Sequence, residues 1–276
     1  ALTHLWSSDF RTFATRQKLT GFDAQAGSAE RQLDGLLGAA GGSLLGTTDV
    51  ALFNPHAQAW AGEPVAWRVE FQAGQFAHPP ALAVGRRTVP TQFEEVERYH
   101  DGSIRSATVA GRLRLPPGGV ARGRWIRARQ APAGEERASS LVTTPHVRLE
   151  LNPRRGATIR SLAFPRFGRQ PVAGHVPHGY FDDITLSPDF YTGHVILVGP
   201  DGKQLTDLSP AVVRVGSTAA HPIRIPVQVS LATELGELRK TYWVYRGVPR
   251  VDLRYQFDLR PIAPRSFRLG IVTVLP

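Results

Sequence analysis

The sequence predicts a mainly β protein: a short helical segment at the N-terminal end, then a small β-domain, then an antiparallel β-sandwich. Three observations carry this. From Asp49 onward the apolar residues recur with a period of two, the signature of strands with one buried and one wet face. Turn-forming clusters punctuate these runs at "HDGS", "PPGG", "GPDGK" and "RGVP". The composition, 42% apolar and 20% charged over 276 residues, is that of an ordinary globular chain long enough to bury more than one modest core.

The helical expectation rests on "SAERQLDGLLGAAGG", where Leu33, Leu36, Leu37 and Ala40 stand at helical spacing. Ser28 suits the N-cap, and Gly41 and Gly42 supply a stop. In "PVAWRVEF", Val65, Trp67, Val69 and Phe71 share one strand face. A loose stretch, "RQAPAGEERASS", reads as a linker between Arg129 and Ser140. It divides the chain into residues 1–46 (helical), 47–132 (small β-domain) and 141–276 (sandwich). In the last of these, "PIRIPVQVSL" puts Ile223, Ile225, Val227, Val229 and Leu231 on one face, with Arg224, Gln228 and Ser230 opposite. Pro226 within that run predicts an edge strand or a bulge. "VDLRYQFDL" alternates without error, Val251 to Leu259 inward and Asp252, Arg254, Gln256 and Asp258 outward. The chain starts at Ala1 without a methionine and stops in "GIVTVLP", which reads as the middle of a strand, so a processed chain or a fragment with a truncated sandwich is expected.

Several function classes are disfavoured. Cysteine is absent, which removes disulfides and thiolate chemistry. The net charge of +10 is almost entirely arginine, the lysines being Lys18, Lys203 and Lys240 alone. The arginines are dispersed along strands, as at Arg68, Arg98, Arg148, Arg214 and Arg254, and read as solvated outer faces. With no basic run, helix-turn-helix pattern or zinc knuckle, no nucleic-acid partner is expected. No apolar run reaches the ~20 residues of a membrane span, so no membrane partner is expected. The start lacks the basic and apolar pattern of a signal peptide, which favours a cytoplasmic location. There is no G-x-S-x-G elbow, and "GAAGGSLLG" follows a helix and lacks the Lys-Ser/Thr of a phosphate loop.

The densest chemistry lies in "GYFDDITLSPDFYTGH", with His175 and His178 just upstream. Imidazoles and carboxylates at this density suit a divalent metal, but Pro177 breaks the His-x-x-His pair, so no metal or other cofactor is expected and His175 and His178 are only weak ligand candidates. Asp182 and Asp183 are adjacent and on a strand would point to opposite faces, so they cannot be a glycosidase pair with each other. Either one could still pair with Asp189. Aromatic faces beside carboxylates also suit sugars, which makes Tyr180, Phe181, Asp182, Asp183, Asp189, Tyr191 and His194 candidate carbohydrate contacts. A structural loop whose acids cap backbone amides is the other reading of the same residues.

The order of motifs resembles a glycoside hydrolase. "LWSSDFRTFATRQK" and the helix after it look like the end of the catalytic part of family 57 enzymes, with Phe13 where that family has histidine. "VALFNPHAQAW" and "RRTVPTQFE" are similar to the small β-domain of family 38 α-mannosidases. "RLELNPRRGATIRSLAFP" and "LRKTYWVYRGVPRVDLRYQFDL" resemble the opening strand pair and central hairpin of the galactose-mutarotase-like sandwich. The resemblance implies the C-terminal, non-barrel portion of a glycoside hydrolase or transglycosidase acting on α-linked glycans. Its partners would be carbohydrate and an upstream catalytic domain of the same polypeptide. The main catalytic carboxylates would lie on that domain, so no catalytic residue is assigned here; Asp9 and Arg11, from the Ser-Asp-x-Arg match, are cleft-lining candidates. Two alternatives stand beside it. One is a stand-alone carbohydrate-binding or structural sandwich. The other is a polysaccharide lyase-like β-domain, since "RYHDGSIRSA" is similar to the Asp-Gly-Ser-x-Arg segment of rhamnogalacturonan lyase-like domains.

Overall fold

The computed structural model describes residues 49–54, 56–128, 134–168, 170–177, 189–199, 201–234, 236–260 and 266–269, together with residues 28 and 31. Ser28 and Arg31 are both helical, so Ser28 stands inside the helix rather than capping it. The other residues of 1–48, including Asp9 and Arg11, lie outside the described residues. The protein is mainly β, built from antiparallel sheets.

The first module comprises β1 (Asp49–Phe53), β2 (Trp60–Glu70), β3 (Ala81–Val84), β4 (Arg87–Val89), β5 (Thr91–Arg98), β6 (Ile104–Leu115) and β7 (Val120–Ile126). They form one sheet in the order β1-β7-β3-β4 and another in the order β2-β6-β5. Between them lies a core that includes Leu82, Ile104 and Val109. Its aromatic centre is Phe71, edge-on to both Phe76 (5.1 Å) and Trp125 (5.8 Å), the tilted geometry that ring quadrupoles favour. The period-two reading of "PVAWRVEF" therefore holds: Val69 and Phe71 are buried, with Val65 and Trp67 packed against the same cluster.

The second module comprises β8 (Arg137–Ala138), β9 (Leu141–Thr143), β10 (Arg148–Asn152), β11 (Thr158–Ala163), β12 (Ala173–Gly174), β13 (Val176–Pro177), β14 (Asp189–Phe190), β15 (Val195–Val198), β16 (Gln204–Thr206), β17 (Val212–Val215), β18 (Arg224–Thr233), β19 (Gly236–Tyr245), β20 (Val251–Leu259) and β21 (Ser266–Leu269). The main sheet runs β20-β19-β18-β17-β8. Against it lie the sheets β12-β11-β10-β9 and β16-β15-β21, with the pair β13-β14 beside them. The enclosed core joins Val147, Leu149, Val195, Val227 and Tyr242, all at most 2% exposed.

Three expectations change. The linker ends earlier than its composition suggests, because Arg137 and Ala138 pair with Val215 and Arg214 and so complete the free edge of β17. Strand β18 is neither an edge nor bulged at Pro226, since it pairs with β17 on one side and β19 on the other. The proline is tolerated because β17 ends at Val215, and the next ladder bond runs the other way, from Gly216 N to Pro226 O at 2.9 Å. Arg224, assigned to a wet face, is 4% exposed, because the first module covers that end of the sheet.

The cover is built from side chains that act like backbone. Gln92 of β5 accepts from the amides of Ile223 and Arg224 with its Oε1 and donates its Nε2 to the Arg224 carbonyl at 2.8 Å. Arg224 in turn donates from Nε and Nη2 to the two carboxylate oxygens of Glu94, at 3.0 and 2.6 Å, in the bidentate geometry that suits arginine. Its guanidinium lies 4.6 Å over the Trp243 ring and donates to the Tyr245 hydroxyl. Every polar atom in this small junction has a partner, which is the condition for burying it without a large penalty.

Candidate functional site

Of the segment singled out by the sequence, His178, Tyr180, Phe181, Asp182 and Asp183 lie outside the described residues, and only the backbone of Asp189 is described, paired with Pro177. His175, Tyr191 and His194 are placed. The His175 and Tyr191 rings stack face to face, 4.7 Å apart and 3° from parallel. Tyr191 is 4% exposed and His194 2%. In this conformation both are interior supports, not surface contacts for a sugar, which corrects the expectation for these two positions. The physical reason is the turn at Thr192 and Gly193: Thr192 bridges to Ile159 of β11 and donates its hydroxyl to the Gly174 carbonyl at 2.7 Å, drawing its neighbours into the sandwich. Among the described residues, no three histidine, aspartate or glutamate side chains converge as a metal set.

Beneath this turn is a buried polar hub. Lys240 comes from β19, where Leu238, Lys240, Tyr242 and Val244 alternate inward. Its ammonium donates to the carbonyls of Gly156 (2.9 Å) and Gly193 (3.0 Å) and meets Asp207 Oδ2 at 2.5 Å. The ammonium is thus held by two hydrogen bonds and an ion pair. Asp207 Oδ1 accepts from the Val195 amide at 2.9 Å, fixing the first residue of β15. Two tyrosines close the hub: Tyr242 donates to the Ala157 carbonyl at 2.7 Å and Tyr255 to that of Gly193 at 2.9 Å. Burial holds the Lys240 ammonium below its ordinary pKa against the opposing pull of Asp207, and burial drives both phenols upward.

Gly156 is indispensable to the geometry. Its φ is +62°, and a Cβ there would stand 2.0 Å from the Asp207 carbonyl oxygen. Gly156→Ala carries about 1–2 kcal/mol of backbone strain alone, with the overlap added. A Tm loss of roughly 5 °C or more is expected by calorimetry. Gly202→Ala is the control, with a φ of +76° but nothing within 4 Å of its Cβ. Equal losses for the two variants would refute the close-approach explanation.

His194 gives a pH dependence. Its Nδ1 contacts the Tyr191 carbonyl, which assigns the proton to that nitrogen, and burial lowers its pKa below the ordinary 6.5. The folded protein thus holds a neutral imidazole where the unfolded chain takes up a proton. Stability is full above about pH 6.5 and falls as the pH drops below it toward the folded pKa. Urea midpoints at pH 7.5 and 5.5 should fall further for the wild type than for His194→Gln; parallel falls would count against this assignment.

The lyase-like motif has a structural role. Asp101 Oδ1 accepts from the Ser103 hydroxyl (2.5 Å) and amide (2.8 Å) at the tip of the β5–β6 hairpin, and these bonds lower its pKa. The asparagine of the Asn-Pro segment, Asn54, is fully buried and donates to the carbonyls of Gln58 and Pro116, tying β1 to the β6–β7 turn.

Sequence reasoning missed Lys240, Asp207 and Arg224. A signal existed for the first. Lysine is scarce in this chain, and in "LRKTYWVY" Lys240 is in phase with Leu238, Tyr242 and Val244. No family model matches the chain, and no curated protein matches it.

Proposed function

We propose that this chain is the non-barrel β-portion of a glycoside hydrolase or transglycosidase acting on α-linked glycans, and that it presents residues 178–188 to carbohydrate or to the catalytic domain. The supporting observation is the buried hub. A lysine–aspartate pair inside an apolar sandwich is a poor way to add stability, because desolvation of the two charges offsets their attraction. It is a good way to fix one backbone arrangement, and Lys240 fixes the Gly156 and Gly193 turns together with the start of β15. The acid- and aromatic-rich segment enters through His175 and leaves through Tyr191, directly beside that fixed frame.

The test is affinity electrophoresis in gels containing glycogen or pullulan. Retardation that Tyr180→Ala or Asp182→Ala abolishes is the expected result; free migration in both gels would count against carbohydrate contact. The chain by itself should not hydrolyse aryl α-glucosides, α-mannosides or maltooligosaccharides. Reproducible turnover lost on Asp182→Ala or Asp189→Ala would show instead that the catalytic carboxylates are here.

A further inference from the structure

A second surface, sharing no residue with the 175–194 segment, has the form of a binding cleft. It is a groove of about 810 Å³ where β5 of the first module overhangs the outer face of the main sheet, within the ~300–1,000 Å³ of ligand sites. Its floor is a straight rung across four strands: Arg214 opposite Gln228, Gln228 opposite Thr241, and Thr241 opposite Arg254. At the ordinary strand spacing the two arginines stand roughly 14 Å apart, with amide and hydroxyl groups between them. The overhanging wall exists because β5 bulges: its register shifts between Glu94 and Glu97, and Glu95 takes a φ of +50°. A non-glycine residue held there is strained, and such strain gathers at functional sites.

The charges in the groove are not balanced. Arg68 pairs with Glu97, Arg254 with Glu95 and Arg239 with Glu237. Arg214 is exposed and lines the same groove, and its side chain has no hydrogen-bond or ion-pair partner among the described residues. Among the described residues no aromatic side chain lines the groove, so they provide no stacking platform for a neutral sugar. What it offers is a row of hydrogen-bonding groups ending on a free guanidinium, the fork that matches a carboxylate.

The geometry points to a binding site for an acidic oligosaccharide, a hydroxyl-rich chain bearing carboxylates, with Arg214 as the carboxylate contact and Gln228 and Thr241 as hydroxyl contacts. This site is independent of the glycoside hydrolase reading. Three probes test it by isothermal titration: tetragalacturonate, maltotetraose and inorganic phosphate. Tetragalacturonate should bind at least about tenfold more tightly than maltotetraose, and Arg214→Gln should weaken it about tenfold while Arg214→Lys retains part of the affinity. Arg214 is exposed, so the variants should fold with unchanged Tm. No binding of tetragalacturonate, equal binding of maltotetraose, or no effect of Arg214→Gln would each overturn the site. Displacement by phosphate at matching concentration would reduce it to a simple anion site and also overturn it. The electrophoresis variants, Tyr180→Ala and Asp182→Ala, alter none of the described residues that line this groove, so failure there leaves this result unchanged.

Discussion

Lys240→Met is expected to destabilise the protein by ~3–5 kcal/mol, the usual consequence of removing one partner of a buried ion pair. The side chains of Lys240 and Asp207 are 0% and 3% exposed, so water cannot replace the missing ammonium. Three groups lose their donor or counter-charge at once: the Asp207 carboxylate and the carbonyls of Gly156 and Gly193. An unpaired buried acceptor costs more than the bond it lost. The double variant Lys240→Met, Asp207→Asn should recover about 1 kcal/mol or more, because the charge is gone while the Val195 amide keeps an acceptor. Urea denaturation of the four species closes the cycle. A single variant within about 1 kcal/mol of wild type would refute the assignment of Lys240 as an indispensable partner of the hub.

Arg224→Met should have an effect of similar size, ~3–5 kcal/mol, and of a different kind. It leaves Glu94, whose side chain is 7% exposed, without its cation, and it cuts the bidentate tie between the modules. Each module has its own apolar cluster, so their joint unfolding depends on the junction between them. The variant should therefore split denaturation into two transitions. Trp60, Trp67 and Trp125 would report the first module and Trp243 the second. Glu94→Gln is the milder companion, since an amide still accepts one arginine hydrogen bond. A single unshifted transition for Arg224→Met would mean that the Gln92 bonds to Ile223 and Arg224 suffice to couple the modules.

The strands and their inward faces were legible because alternation is a local property of the chain. Val227, Val229 and Leu231, or Leu253, Tyr255 and Phe257, can be assigned inward without knowing what they pack against. Arg224 could not be read that way. It sits in the polar phase of β18, and only docking of β5, some 130 residues earlier in the chain, takes it out of water. Pro226 misled for a related reason, as the signal for an edge strand is also the signal for a neighbouring strand that stops short. Of the candidate site, His175, Tyr191 and His194 lie in ring contact along the chain, and the burial of Tyr191 and His194 depends on the non-local bridge from Thr192 to Ile159, which no local pattern announces. Lys240 was visible as a lysine out of place. Its partner Asp207, in an irregular stretch between β16 and β17, carried no pattern at all.

The hub also constrains the order in which the chain can acquire its structure. Gly156 and Gly193 wait for an ammonium 84 and 47 positions further along, and β15 is completed on one side by β21, with Val195 opposite Leu269. None of these turns can reach its final state from local contacts, so the second module should fold late and as a unit, in roughly milliseconds to seconds, as domains dominated by distant strand pairings do. On a ribosome, the first module has a closed core of its own by Trp125. The second would remain open at least until β21 has emerged to pair with β15.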